Sequence, residues 1–452
     1  MSSDRQTGEL VSEAGPSARP LSVLLVNSFY APFVVGGAEV VTEMLASTLA
    51  AQGHRVSVAT SCSRDQDYDV ERRDGVDVYR FFPKNRWWLY ERFAPGDRRS
   101  AIDKLRWRVA DAWNRDAGER FSQILDLVRP DVVHTHNIKG FSPVIWHLAR
   151  RSGIPVIHTA HSYELICADG SLLSRSGESC DPRSRCMGCK VHGAWYRTHA
   201  DAIDVFCSPS DYLLRAHAAA GVVLKGSAHV RNGVARRTSL PGGGRPSEGR
   251  PIRYLYMGQL TAHKGIDSLI GAIRLASSSA FTIDIAGRGD GEARLEALAG
   301  ADGRVRFHGF VDGERKDRLL SSSDVLIFPS IWVENAPMSI AEAFCHGLPV
   351  IGSRIGAIPE FVEHGTNGLL FEAGNATSLA VCMTELSERP DELRPLKQGA
   401  SRSGNSWPTP ETMASDYVDI YRSLLQRNAG SDHAGARRAG TRGERAITGA
   451  EL

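Results

Sequence analysis

The segment Glu334–Glu342 reads ENAPMSIAE and sets two carboxylates with seven residues between them, behind an apolar run, Val325–Ser330, that reads as a strand. Helical spacing follows. A helix that starts near Pro337 leaves its first backbone N–H groups free, and such a terminus suits a phosphate. Pro337 fits the first turn, where its missing N–H does no harm. Glu334 then stands before the turn, facing whatever the phosphate carries. Glu342 lies about one and a half turns inside, placed to accept hydrogen bonds from hydroxyls such as those of a ribose. The spacing equally fits an ordinary capped helix with two surface glutamates, because acidic residues favour helix N-termini.

Other segments supply the complementary charge. GQLTAHKG at 258–265 follows the strand-like run Ile252–Met257, and Lys264 there can offer a cation to a diphosphate or simply face solvent. Lysine is scarce, with eight in the chain against 54 basic residues in all, which makes Lys264 more noticeable. Gly36-Gly37-Ala38-Glu39 follows the first strand and opens a helix. Paired glycines let a ligand approach the backbone closely, although a tight strand-to-helix turn needs the same residues. GRGDG at 287–291 is placed similarly in the second half. His134, His136, His158 and His161 end two neighbouring strand candidates, so one or two reach the expected cleft and the others are structural.

Cys167, Cys180, Cys186 and Cys189 fall within 23 residues, in a loop region over 165–192. Four thiolates can bind zinc tetrahedrally, with His192 as a substitute ligand; free thiols, disulfides and an iron–sulfur cluster are the alternatives. Lys84–Arg108 carries eight basic and three acidic residues with several aromatics. It suits an acceptor sugar, an anionic membrane surface, or a plain cover for the first domain's core.

Elements that position these residues alternate in type. Leu21–Asn27, His54–Thr60, Val76–Phe82, Asp131–His136, Pro155–His161 and Ala202–Ser208 read as buried strands between helices. A second series holds Ile252–Met257, Phe281–Ala286, Val305–Phe307, Val325–Phe328 and Pro349–Gly352. This alternation predicts α/β architecture with parallel sheets. The turn-rich stretch 238–250 separates a first domain, 21–237, from a second, 251–407. A helix over 408–427 follows, between an N-terminal arm (1–20) and a tail (428–452), both expected to be disordered. The chain has 452 residues, 42% of them hydrophobic and 23% charged, with a net charge of +2. That balance argues against a nucleic-acid partner. No apolar run spans a membrane and no signal peptide is evident, so the expected location is cytoplasmic, with at most peripheral membrane contact.

Taken together, GGAE at 36–39, TAHSYE at 159–164, VRNGV at 230–234, GQLTAHKG at 258–265, AGRGD at 286–290 and PSIWVENAPMSIAEAFCHGLPVIGSRIGAIPE at 329–360 resemble the family-4 retaining glycosyltransferases over about residues 21–425. The resemblance implies the GT-B fold, two Rossmann-like domains facing each other across a cleft, and extends to members with a cysteine-rich insert. It implies that Glu342 binds the donor ribose and Glu334 the transferred sugar. The backbone of Met338 and Ser339 would hold the diphosphate and Lys264 neutralise it, with the Gly36-Gly37 loop alongside. His161 would stand near the sugar's C6 hydroxyl and the acceptor. The expected partners are a nucleotide-sugar donor, UDP favoured over GDP, and a small-molecule or saccharide acceptor. No catalytic metal is expected, and zinc would be structural. Two positions depart from the family. Gln259 stands where an arginine is usual, so Arg288 or Arg354 must compensate or donor activation is weaker, and Ser162 replaces an aspartate. A catalytically silent GT-B scaffold and a nucleotide-sugar epimerase are the competing readings.

Overall fold

The computed structural model describes residues 19–67, 69–93, 99–174, 177–236, 250–276, 281–300 and 302–440. Most of the expected arm, all of the 238–250 linker except Arg250, and residues 441–452 lie outside that set. The first domain's strands are β1 (Ser22–Asn27), β2 (Arg55–Ser61), β3 (Asp69–Arg73), β4 (Val76–Phe81), β5 (Val132–Thr135), β6 (Val156–Thr159), β7 (Val205–Ser208) and β8 (Ser227–His229). They pair in the order β3-β4-β2-β1-β5-β6-β7-β8. Strand β1, SVLLVN, is buried along its whole length, as a strand covered by helices on both faces must be. It pairs in parallel with β2 on one side and β5 on the other, so the sheet's winding reverses beside it. Such a reversal opens a crevice at the strands' carboxyl ends. The Gly36-Gly37 turn and the Gly37–Ala51 helix follow β1 into that crevice.

A second sheet holds β9 (Ile252–Met257), β10 (Phe281–Ala286), β11 (Val305–Gly309), β12 (Val325–Phe328), β13 (Val350–Ser353) and β14 (Gly368–Phe371). Its order is β11-β10-β9-β12-β13-β14, parallel throughout. Here the reversal lies between β9 and β12. The segments that leave these two strands are those bearing Lys264 and Glu334, so the topology itself brings the pair together. Two Rossmann-like α/β domains result. Strand β3 was not anticipated. Its sequence, DVERR, is too polar to signal a strand, yet it pairs antiparallel with β4 through the Asp74-Gly75 turn, where both residues have positive φ. Also not anticipated were β8, three residues with no apolar run, and β14, whose run Gly368–Phe371 is as short as that of β12.

The domains are joined side by side. Val230 packs in the first domain's core and Val234 in the second's. Trp407 lies in the second core and Met413 back in the first, so the chain returns. These crossings touch: the Val234 N–H donates to the Pro408 carbonyl at 3.0 Å, and Trp407 Nε1 donates to the Asn232 carbonyl at 2.9 Å. A Cβ on Gly233 would lie 2.8 Å from Pro410, which is why no side chain fits there. The helix that follows spans Pro410–Gly440, so residues 428–440, expected to belong to a disordered tail, are helical; four alanines and two arginines there favour a helix, against three glycines. It docks on the first domain. Tyr421 and Tyr417, both buried, hydrogen-bond His134 Nδ1 at 2.7 Å and the Thr159 hydroxyl at 3.0 Å.

Candidate active site

Lys264 ends a short 3₁₀ turn, Ala262–Lys264, after β9. Gly265 follows with φ of +70°, and a Cβ there would come within 1.8 Å of the Pro329 carbonyl oxygen. Only glycine lets the lysine segment lie this close to the end of β12. The result is an ion pair: Lys264 Nζ donates to Glu334 Oε1 at 2.7 Å. The pair is largely shielded, with side-chain exposures of 19% and 6%. Lys264 also lies over the Trp332 ring, 4.8 Å from its centre, a cation–π contact. Glu334 is held by its backbone as well, since its carbonyl accepts the Ala357 N–H at 2.9 Å.

The Met338–Cys345 helix begins one residue after Pro337, so its first turn carries free N–H groups, Met338 and Ser339 among them. Met338 bridges the domains. Its side chain packs against both cores, and a Cβ on Gly37 would stand 3.8 Å from its Cγ. The Gly36-Gly37 loop and the helix N-terminus therefore face each other across the cleft. Glu39 braces that loop from beneath: its carboxylate accepts the Gly36 N–H at 2.7 Å, while burial raises its pKa. Glu342 reaches a partner that sequence reading missed, Lys316 of the Gly313–Ser322 helix, at 2.7 Å. Lys316 is another of the eight lysines, but its link to Glu342 spans 26 residues and only folding reveals it.

His161 is brought to the same cleft. Its backbone carbonyl accepts Asn335 Nδ2 at 2.8 Å, a bond from one domain to the other. Its Nε2 lies 2.9 Å from His136 Nδ1, and burial pushes its pKa down to about 4, so it is neutral at neutral pH. His158 bonds the Thr135 hydroxyl, away from this pair, and is structural like His134. Asn335 was another miss. Its Oδ1 is buried, with no partner among the described residues, directly beside Glu334. The Tyr163 hydroxyl donates to the Val333 carbonyl at 2.9 Å, a second bond between the domains.

Gln259, Arg288 and Arg354, read as donor contacts or as substitutes for one, are all exposed. The Gln259 side chain is exposed, while its backbone carbonyl accepts the Tyr256 hydroxyl at 2.7 Å. Arg288 is exposed near Gly309. The GRGDG glycines serve backbone packing, because a Cβ on Gly287 or Gly289 would lie 1.8 or 2.3 Å from the carbonyl oxygens of Gly258 and Leu260. Arg354, the other proposed substitute, is also exposed, and among the described residues only Lys264 forms an ion pair with Glu334.

In the insert, Cys167 and Cys189 bring their sulfurs to 3.8 Å, and Cys186 lies within electrostatic reach of Cys189. Cys180 lies within electrostatic reach of Cys167 and Cys186. All four are free thiols, and among the described residues no three His, Cys, Asp or Glu side chains already converge as metal ligands. His192 is turned away, 2.7 Å from the Glu164 carbonyl. The insert also reaches the second domain: Trp332 Nε1 donates to the Ser171 carbonyl, and the Ser179 hydroxyl to the Ile331 carbonyl at 3.0 Å.

The two sides of this cleft match two family models. Residues 36–233 match the glycosyl transferase 4-like domain, and residues 245–402 match glycosyl transferases group 1. An uncharacterised 42.6 kDa protein of the cps region of Klebsiella pneumoniae is 27% identical over 342 residues, 75% of this chain and 87% of the relative. Glycogen synthase of Mycobacterium tuberculosis is 26% identical over 422 residues, 89% and 94% of the two chains. Among solved structures, Anabaena HepE in complex with UDP has a TM-score of 0.66 at 17% identity, covering 89% of this chain and 100% of HepE. Sucrose-phosphate synthase from Thermosynechococcus elongatus has a TM-score of 0.68 at 18% identity, covering 90% and 99%. With two parallel-sheet domains, a glutamate pair at the second domain's switch point and a family match on each side of the cleft, the chain belongs to the family-4 glycosyltransferases of GT-B fold.

Proposed function

We propose that this glycosyltransferase moves a sugar from a UDP-sugar to a hydroxyl of a small-molecule or saccharide acceptor, with retention at the anomeric carbon. The observation that carries this reading is the shielded Lys264–Glu334 pair, set beside a helix N-terminus that faces the Gly36-Gly37 loop. A diphosphate between loop and helix meets free N–H groups and the Lys264 cation. Those dipoles stabilise charge that builds on the leaving group without rearranging. Glu342 takes ribose hydroxyls in exchange for Lys316. Glu334 and the unpartnered Asn335 Oδ1 take hydroxyls of the sugar. Neutral His161 orients a sugar or acceptor hydroxyl by hydrogen bonding. The acceptor's proton passes to a phosphate oxygen as the C–O bond to the diphosphate breaks and the new C–O bond forms on the same face. HepE, of the same fold, is solved with UDP and with UDP-glucose, which supports a uridine donor. Lys264 and the helix N-terminus meet the diphosphate charge, so transfer is proposed to need no divalent cation.

The test is donor turnover and product anomer, measured by NMR against panels of UDP-, GDP- and ADP-sugars, with and without chelator. Retention with a UDP-sugar is expected. An inverted product, or binding of no nucleotide, would overturn the reading, the second outcome favouring a silent scaffold.

The four insert cysteines we propose as a structural zinc site. Thiolates about 2.3 Å from a tetrahedral zinc stand about 3.8 Å from one another, the separation of Cys167 and Cys189. Cys186 and Cys180 complete the set by turning inward. Protein purified without chelator should carry stoichiometric zinc. Less than about half an equivalent would argue against the site, since a structural zinc binds tightly.

A further inference from the structure

The segment that carries Glu334 is fastened to the first domain on either side of that residue. The Ile331 carbonyl accepts the Ser179 hydroxyl, and Trp332 Nε1 donates to the Ser171 carbonyl. The Val333 carbonyl accepts the Tyr163 hydroxyl, and Asn335 Nδ2 donates to the His161 carbonyl. All four first-domain partners fall within residues 161–179. Within this tethered run, Trp332 also meets Lys264. Its ring packs against the first domain's core and carries Lys264 Nζ 4.8 Å from its centre. The His263 ring stands edge to face with it at 5.9 Å. A cation over an indole face is drawn to the ring's electron density, more strongly where water is excluded. The shielded lysine therefore depends on where the indole stands.

The cysteine insert sets that place. The Ser171 carbonyl and the Leu172 N–H belong to one planar peptide unit. The carbonyl accepts Trp332 Nε1, and the N–H donates to Cys167 Sγ at 3.4 Å. On its other side, the Leu172 carbonyl accepts the Cys180 N–H at 2.7 Å. Leu172 has a φ of +51°, with its side chain fully buried. A bulky residue enters that region at a cost and stays only where its surroundings over-determine it. Here two cysteines hold it. Hydrogen bonds at the two ends of a peptide unit also strengthen each other. Loss of the Cys167 sulfur thus frees the unit to turn and withdraws the acceptor from Trp332. The path from thiol to donor lysine is short: Cys167 Sγ, the 171–172 peptide, the Trp332 ring, Lys264 Nζ.

We propose that Trp332 is a positioning residue, which holds Lys264 at the donor diphosphate and is itself held by the cysteine insert through the Ser171–Leu172 peptide. This rests on the reading of Lys264 as the cation that meets the diphosphate. It does not rest on zinc, since a free or a metal-bound sulfur accepts the same N–H. Plain packing between the domains is the competing role, and the two roles differ in how substitutions combine.

The experiment is calorimetric titration of the full chain and its variants with UDP. Trp332→Leu should weaken binding about fivefold. Trp332→Phe, which keeps a ring beneath the lysine, should weaken it less. In a Lys264→Met/Glu334→Gln background, where the positioned charge is gone, Trp332→Leu should leave affinity within about twofold. Cys167→Ala should cost at least about threefold more in the wild-type background than in Trp332→Phe, which lacks the indole donor. Thermal midpoints identify variants that do not fold. A second measurement needs no cysteine variant. UDP should slow maleimide labelling of Cys167, followed by mass spectrometry, in wild type and not in Trp332→Phe, because coupling between two sites is reciprocal. Additive effects in either pairing, or labelling that UDP leaves unchanged, would overturn the proposal. Wild-type protein that binds no UDP would overturn the donor reading as well, whereas UDP binding with independent variants overturns the positioning role alone.

Discussion

Replacing Lys264 by methionine removes one charge from a pair at 2.7 Å whose side chains are 19% and 6% exposed. Two effects follow, and they can be separated. The lost contact to a diphosphate is charge-assisted, worth about 1.5–3 kcal/mol, so UDP should bind roughly 10- to 150-fold more weakly. The abandoned Glu334 carboxylate is also buried, and breaking such a pair on one side costs about 3–5 kcal/mol of stability. A second variant distinguishes weak binding from poor folding. Lys264→Met/Glu334→Gln removes both charges, so stability should largely return while UDP affinity stays low. Calorimetric titration with UDP gives the first quantity and urea unfolding the second. If Lys264→Met binds UDP within about twofold of wild type, or if the double variant recovers affinity along with stability, the lysine does not face the diphosphate and the reasoning fails.

Lys316→Ala should raise UDP affinity a few-fold, because it releases Glu342 from a competitor at 2.7 Å; a drop measured by calorimetry would mean that Lys316 itself binds the nucleotide. Gly265→Ala should abolish soluble expression or lower the thermal midpoint steeply, since its Cβ would meet the Pro329 oxygen at 1.8 Å and its φ of +70° disfavours any side chain; an unchanged midpoint would show that the lysine turn can shift. Burial lowers the pKa of His134 to about 3 and of His161 and His217 to about 4, against about 6.5 unfolded. Below pH 6.5 the unfolded chain thus binds more protons, and these residues' contribution to stability is lost as pH falls from about 6.5 toward 4. Asp111 and Glu164, raised by burial to about 7, act oppositely, their contribution being lost as pH rises from about 4 through 7. His134→Gln should reduce the loss of urea stability between pH 7 and 5; an unchanged slope would place the titration elsewhere.

Much of this molecule is legible in its sequence because its strands are buried on both faces. Ile252–Met257, Phe281–Ala286 and Val325–Phe328 have the bounds their apolar runs suggest. The polar edge strand β3 is invisible to that signal, since only pairing with β4 defines it. Glu334 and Lys264 stand out by residue type and position. Asn335 and Lys316 do not, because an amide and a helix lysine gain meaning only from partners in a distant segment: His161 is 174 residues from Asn335, and Glu342 is 26 from Lys316. The glycines of GRGDG have a packing role that spacing alone does not reveal. Their spacing suggests ligand approach, and the fold also brings the backbone of Gly258 and Leu260 against them.

The paired crossings at 230–234 and 407–413 carry a mechanical consequence. The two strands of chain that pass between the domains lie against each other and share hydrogen bonds, so they behave as a single pin. Rotation about such a pin opens the cleft like a book, with large travel at the far side and almost none at the spine. The segments that must meet around a substrate, Gly37 with Met338 and His161 with Asn335, can then part and rejoin while Tyr417 and Tyr421 keep the returning helix seated on the first domain.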